Sequence, residues 1–467
     1  MKSFVDHKFR NGTRESPMAA SADPVADVED EFNFSAAVLR HNVKRVCSDL
    51  IAEGIEQDLS ISVYFHGVEV LSMSTACVPV DRLLSPDEEV EHEEPLYMPY
   101  SITKGIVGAT VLALVDKKIL KLDKKVAEVW PTFARISWAW NELYTLTHAA
   151  AFVLGVLSLV WTPVGGVDVI WRLVGVVVAA TLYILVPLPQ SRGFVDKASL
   201  TCGDALAHRG HLQDFHTLRQ FLRQIILRLC SRDGHLSAWA DGRRHVESLQ
   251  PSDHPGSSAF YHFVNYSWIA GGIIESSTGT TFEAAVRKFV TRPLGISSQD
   301  ITMGPLPHDQ EHRLRPLQPP TYRDLRGASL MRRVAGFVEA RIFCAIGNSR
   351  WFRNLLLPSS NGVFTASAVA RVYGAIAAGG TLCGGERVVS SRAVRHLRKR
   401  LHRSLSIDHH RKWVSRDAMG FCPWHEEGYG GQEHAVIGHR FVCCRRHTIV
   451  VWSLVRLRHF VHVSLCV

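Results

Sequence analysis

The chain has 467 residues, 46% hydrophobic and 21% charged, which is the composition of a globular protein with room for a sizeable core and excludes a disordered or fibrous chain. Its formal charge of +9 comes without the interleaving of basic and aromatic residues that marks a nucleic-acid surface, so no nucleic-acid partner is expected. The ten cysteines form no Cys-x-x-Cys pair; neither a zinc cage nor a disulfide framework is indicated, reduced thiols in a cytosol-like compartment fit best, and no metal or organic cofactor is expected.

Residues 1–31 are polar, lack the apolar core of a signal peptide and read as a disordered lead. Between Phe34 and Gly54, Val38, Leu39, Val43, Val46, Leu50 and Ile51 form a helical stripe closed by a glycine. Leu59–Phe65 alternates, His66-Gly67 turns and Val68–Leu71 follows, which predicts a β-hairpin. After an acidic cluster at Glu88–Glu94, Val107, Val111, Leu112 and Val115 recur at three- and four-residue steps, predicting an amphipathic helix that opens near Ser101. Ser101 and Lys104 fall one turn apart on one face of that helix. This spacing lets an amine reach a hydroxyl among the backbone N–H groups of a helix start; an ordinary capped core helix is the other reading.

Residues 136–192 differ from their surroundings. No charge occurs from Thr147 to Val164, and Arg172 stands alone from Val169 to Leu188. As helices these runs would extend about 27 and 30 Å, the thickness of a bilayer's hydrocarbon core. The expectation is an inserted transmembrane hairpin, with helices at about 147–164 and 169–188, that interrupts a domain made of 32–135 and 193–467. A buried helical pair, or an insert with no folded role, are the alternatives. Arg135, Arg192 and Lys197 flank the hairpin while its turn carries only Asp168, which places the domain on the cytosolic or organelle-internal side of a membrane.

Beyond the insert, Asp214–Arg232 and Thr281–Val290 read as helices, the latter stopped by Arg292-Pro293. Thr365 is placed to cap a helix through Val369, Val372, Tyr373 and Ile376 that ends at Gly379-Gly380. Arg392–Arg403 is strongly basic, suited to a solvated face or to anionic headgroups, and Thr448–Val455 is strand-like. Helices on both sides of hairpin-forming strands predict an α+β fold with an antiparallel sheet.

Several segments taken in order resemble one family. Tyr100-Ser-Ile-Thr-Lys104, the run Lys197–Arg209, His254-Pro-Gly-Ser-Ser-Ala-Phe-Tyr261, Thr278–Phe282, Arg292-Pro-Leu-Gly-Ile296 and Ser360-Asn-Gly-Val-Phe-Thr-Ala366 are similar to stretches of the serine β-lactamase, penicillin-binding-protein and esterase superfamily, closest to its carboxylesterases. The resemblance covers roughly residues 35–456 without the hairpin. It implies an antiparallel sheet flanked by helices, a helical subdomain, and hydrolysis of an ester or amide through an acyl-enzyme. Ser101 would be the nucleophile and its N–H an oxyanion donor, and Lys104 would take or relay the proton, a role that requires the neutral amine. Tyr261 would share the base role. The third motif and oxyanion region would lie at His425, Gly428, Gly430 and Gly431, with His425 one residue further from the glycine turn than His-x-Gly requires.

Beside the offset of His425, Phe263 is a second departure, at the place two residues after the tyrosine where the family often has Asn or Ser; only about ten residues follow the last strand, where family members often close with a helix. A membrane-anchored serine hydrolase acting on a small or lipid-like ester or amide is the expectation. The alternative is an inactive domain of the same fold serving as a membrane-attached binding or scaffold module.

Overall fold

The computed structural model describes residues 59–65, 67–74, 93–134, 138–160, 168–186, 197–212, 234–257, 262–317, 341–403, 407–408, 413–414 and 449–455, with helical positions inside 38–52 and at 223, 226 and 338. The expected hairpin forms: β1 (Leu59–Phe65) pairs antiparallel with β2 (Val68–Ser74), and Gly67 takes the left-handed φ of 83° that closes the turn. Register shifts between Val63 and Tyr64, which is a bulge in β1.

Helix α1 (Thr103–Asp116) is preceded by one turn of 3₁₀ helix over Tyr100–Ile102. The stripe of valines and leucines predicted an amphipathic element, yet every residue from Thr103 to Leu114 is buried. The small residues Gly105, Gly108, Ala109 and Ala113 let neighbours close on the sides that the stripe leaves open, and a helix covered all round sits at the centre of a core.

α2 (Trp138–Val160) and α3 (Asp168–Leu185) are the predicted inserted helices, and here the sequence reading is corrected. Among the described residues no helix is long and apolar enough to cross a membrane. Polar residues also shorten the uninterrupted apolar runs. Glu142 and His148 lie within α2, leaving Ala149–Val160, and Arg172 lies in the second turn of α3, leaving Leu173–Leu185. At 1.5 Å per residue these stretches reach about 18–20 Å, against about 30 Å of hydrocarbon. The transmembrane hairpin, the membrane partner assigned to 147–188 and the choice of membrane side all lose that support. The pair packs on itself through small side chains, Gly175 against Ser158 and Gly155 against Ala179, with His148 and Tyr183 edge to face. It is not a buried pair either, because Leu146, Phe152, Ile170 and Trp171 are mostly exposed.

The chain closes behind the insert. Val126 N–H donates to Leu200 O and Cys202 N–H to Lys124 O, each at 2.8 Å, so the strands of chain on either side of the hairpin meet directly. Thr201 caps α4 (Cys202–Leu206), its hydroxyl accepting from Asp204 N–H. α5 (Gly234–Ser248) and α6 (Asn265–Thr278) pack together, α6 ending at the left-handed Gly279. The segment predicted as a helix over 281–290 is Thr281-capped helix to Val286 and then widens into a π turn before Pro293. A two-residue ladder joins β3 (Ile301–Thr302) to β4 (Val363–Phe364).

α7 (Ala366–Ala377) starts at Thr365, whose hydroxyl accepts from Ala368 N–H, and ends at the glycine pair as predicted. It lies across β1, where the ring of Tyr64 fills the space beside Gly374. α8 (Ser391–Arg403) carries the basic run. β5 (Ile407–Asp408) and β6 (Trp413–Val414) form a short hairpin. β7 (Ile449–Val455), the predicted last strand, pairs antiparallel with β1 from Leu59↔Val455 to Phe65↔Ile449, giving a sheet ordered β2-β1-β7.

Candidate active site

The stretch that leads into Ser101 is pinned on two sides. Leu96 N–H donates to Arg313 O, and Tyr97 exchanges both backbone hydrogen bonds with Phe364 of β4 at 2.9 Å. Tyr100 then takes a left-handed backbone, φ 49°, a conformation costly for an aromatic residue and held by its surroundings. Its hydroxyl donates to Phe343 O, and Thr103 Oγ1 donates back to Tyr100 O at 2.6 Å while accepting from Gly362 N–H. The turn therefore lifts Ser101 to the half-buried start of the central helix.

Lys104 points into the same place. It is buried, and Nζ reaches three acceptors: Ser101 Oγ at 3.4 Å, Phe263 O at 3.2 Å and Ser359 O at 3.1 Å. The Ser101 contact is loose, as such pairs are before substrate tightens them. In the neutral amine the two N–H groups would go to the two carbonyls. The lone pair would then face Ser101 Oγ, the orientation proton removal needs. The rings of Tyr266 and Phe263 lie 5.6 and 5.9 Å from Nζ.

The Ser359 carbonyl belongs to a turn that is itself held in place. Ser359 N–H donates to Ser267 Oγ at 3.0 Å, and Ser267 Oγ donates to Ser359 Oγ at 2.6 Å, tying the turn to α6. Asn361 staples the turn from within: Nδ2 donates to Phe352 O and Leu355 O, and Oδ1 accepts from Leu357 N–H. Ser267 and Ser359 are not singled out by the sequence, and Asn361 enters there only within the Ser360–Ala366 stretch, with no role. The signal was the Ser359-Ser360-Asn361-Gly362 run, whose small polar residues are suited to stapling a turn.

Of the residues that the sequence put forward, Ser101 and Lys104 are brought together. Tyr261, His425, Gly428, Gly430 and Gly431 lie outside the described residues. Phe263 is at the site with its side chain partly exposed at 36%, edge to face with Phe343 at 6.1 Å. Phe343 in turn meets Tyr100 at 6.1 Å, so an aromatic row flanks Ser101 and Lys104. Among the described residues no group of His, Cys, Asp and Glu is placed to hold a metal ion.

Comparison with known proteins bears on the family and the fold. A family model described as Beta-lactamase matches residues 91–417. The esterase/beta-lactamase LipL of Mycobacterium tuberculosis (strain ATCC 25618 / H37Rv) is 25% identical over 299 residues, which is 62% of this chain and 52% of that protein. The chain thus spans about half the length of this curated relative. A family VIII carboxylesterase superposes with a TM-score of 0.58 at 18% identity, covering 89% of this chain and 91% of that one. A penicillin-binding protein homologue from Caulobacter crescentus gives 0.55 at 19% identity, with 94% of each chain covered. At these identities the two structures establish the fold alone.

Proposed function

The chain belongs to the beta-lactamase family, and from that premise we propose that it is a serine hydrolase that cleaves a carboxylic ester or amide through an acyl-enzyme on Ser101. The observation that carries the reading is the position of Lys104 Nζ, held by the carbonyls of Phe263 and Ser359 within reach of Ser101 Oγ. With its N–H groups given to these two carbonyls, the neutral amine can turn its lone pair to Ser101 Oγ.

In the proposed reaction Ser101 Oγ attacks the substrate carbonyl carbon as its proton passes to Lys104 Nζ. The tetrahedral oxyanion collapses, the C–O or C–N bond to the leaving group breaks, and the proton goes to the departing oxygen or nitrogen. Water then repeats the sequence on the acyl-serine and releases the acid. Backbone N–H groups at the start of α1 stabilise the oxyanion. Tyr261 is proposed to share the proton transfer.

We place esters ahead of β-lactams as substrates. Phe263 offers no hydrogen bond where family members often carry Asn or Ser, and a site that lacks a polar partner discriminates poorly for an amide-bearing side chain. LipL, named as both esterase and β-lactamase, is compatible with either.

A fluorophosphonate probe and a panel of p-nitrophenyl esters test the reading. Wild type is expected to be labelled at Ser101 and to turn over the esters, and Ser101→Ala to do neither. Lys104→Ala should lower turnover by about 10²–10⁴-fold, the usual cost of losing a positioned base. Wild-type turnover in Ser101→Ala, or no labelling of wild type, would leave a non-catalytic binding module as the better description.

A further inference from the structure

Three histidines lie behind the Lys104 acceptors, and nothing in the proposed reaction uses them. His208 and His211 follow α4, and both take left-handed backbone, φ 57° and 52°, which histidine tolerates better than most residues but still at a cost. The tight turn they make aims Leu212 N–H at His262 Nε2, at 3.0 Å. His262 N–H donates to His208 Nδ1 at 3.1 Å, and the two Nδ1 atoms are 3.3 Å apart. His208 and His262 are fully buried and their rings stack at 5.5 Å.

These contacts admit one protonation pattern. A backbone N–H is always a donor, so His262 Nε2 and His208 Nδ1 must both be bare. His262 then carries its proton on Nδ1 and donates it to His208 Nδ1, and His208 carries its own on Nε2. Both rings are neutral. A further proton on His262 would set Nε2–H against Leu212 N–H. One on His208 Nδ1 would set a donor against two donors of His262.

We propose that His262 is a positioning residue for Lys104: with His208 it forms a latch of two uncharged rings that fixes the Phe263 carbonyl. One peptide unit separates the latched ring from the carbonyl that orients the amine. The proposal rests on the reading of Ser101 and Lys104 as nucleophile and base.

The other groups facing the cluster work in the same direction or lie further out. Lys104 of α1 and His211 add positive charge near His262; burial is the largest influence that holds its pKa well below the usual histidine range, followed by the charges of His208, His211 and Lys104. His211 Nε2 meets Ser257 Oγ at 3.1 Å, and Asp253 stands beyond that hydroxyl on an exposed loop. Tyr266 covers His208 at 4.6 Å between ring centres, and Asn265 Nδ2 donates to Leu212 O.

The test compares wild type, His262→Gln and His262→Ala by the rate of fluorophosphonate labelling of Ser101 and by kcat and KM for one p-nitrophenyl ester from pH 5 to 8.5. Gln supplies an oxygen acceptor for Leu212 N–H and no titrating ring. At pH 8 the Gln variant should stay within about threefold of wild type while Ala loses about tenfold or more, in kcat rather than KM. From pH 8 to 5.5 the ratio of Gln variant to wild type should stay flat within about twofold, because the wild-type ring at 262 stays neutral over that range. A ratio that rises at least about threefold by pH 5.5, or an Ala variant equal to wild type at pH 8, overturns the proposal.

Should a variant fail to fold, ¹⁵N resonances of the imidazoles in wild type decide: a neutral Nδ1–H ring at position 262 down to pH 5 supports the latch, and an ordinary titration near 6.5 overturns it. Should wild-type Ser101 not label at any pH, the hydrolase reading fails by itself and the same resonances judge the latch.

Discussion

A single atom, Lys104 Nζ, gathers most of the chemistry proposed for this protein, and the residues around it differ in what they are expected to control. Phe263 contributes its carbonyl through the backbone and its ring through the side chain, so the two roles separate on mutation. Phe263→Asn should leave fluorophosphonate labelling within a few-fold of wild type. It should lower kcat/KM for long-chain relative to acetyl esters by about tenfold, the scale of one or two apolar groups in a pocket; an unchanged chain-length profile would show that the ring does not touch the acyl group.

Lys197 is a second buried amine with a different role. Its Nζ donates to Val246 O and Glu247 O at 2.6 and 2.7 Å and sits 4.2 Å from the Phe133 ring centre. Burial lowers its pKa to about 7, with Glu247 opposing. Between that value and the ordinary lysine range the unfolded chain binds a proton that the folded chain does not, so this residue makes stability rise with pH from about 7 upward. Over two pH units the slope of about 1.4 kcal/mol per unit gives on the order of 2–3 kcal/mol. Urea midpoints at pH 7 and 9 should show the rise in wild type and a flatter response in Lys197→Met.

Helix α1 is packed on all sides, and glycine is what allows it. A Cβ on Gly105 would fall 1.4 Å from the hydroxyl of Tyr373, a fully buried side chain of α7. Gly105→Ala must therefore push α7 away or turn Tyr373 out of the core. Overpacking of this kind costs about 1–3 kcal/mol. Because Gly105 follows Lys104 directly, Ser101 labelling should slow as well. Urea denaturation reads the first effect, and a midpoint equal to wild type would show that α7 yields without cost. Gly279 behaves differently: a Cβ there meets nothing within 4 Å, and only its left-handed φ of 65° opposes substitution.

At the scale of the whole molecule, the α2–α3 pair is an excursion from a core that closes without it. Lys197 lies against Phe133 and the backbone of 124–126 bonds to that of 200–202, so the ends of the excursion are already side by side. Replacing residues 138–186 by a short Gly-Ser link should leave Ser101 labelling and the melting temperature close to wild type. It also removes the exposed Phe152 and Trp171, so concentration-dependent association seen by light scattering should fall. Loss of labelling on deletion would mean that the pair supports the site.

How much was legible in the sequence follows from the range over which each property is decided. Local patterns are set by neighbours one to four residues away. They gave the β1–β2 hairpin, the Thr365 cap, the glycine stop after α7 and the placing of Ser101 and Lys104 one turn apart. The strand at 449–455 was readable as a strand, but its pairing with β1 almost 400 residues earlier was not, since no local signal encodes a partner. The hairpin at 136–192 reads as two spans because its charges are so sparse, and that pattern does not say that the helices run Trp138–Val160 and Asp168–Leu185. The acceptors of Lys104 come from positions 159 and 255 residues away, and His208 meets His262 across 54. The sequence by itself determined which residue types were available for proton transfer; only the tertiary structure decided which carbonyls and rings would aim them, because a hydrogen bond is fixed by distance and angle in space.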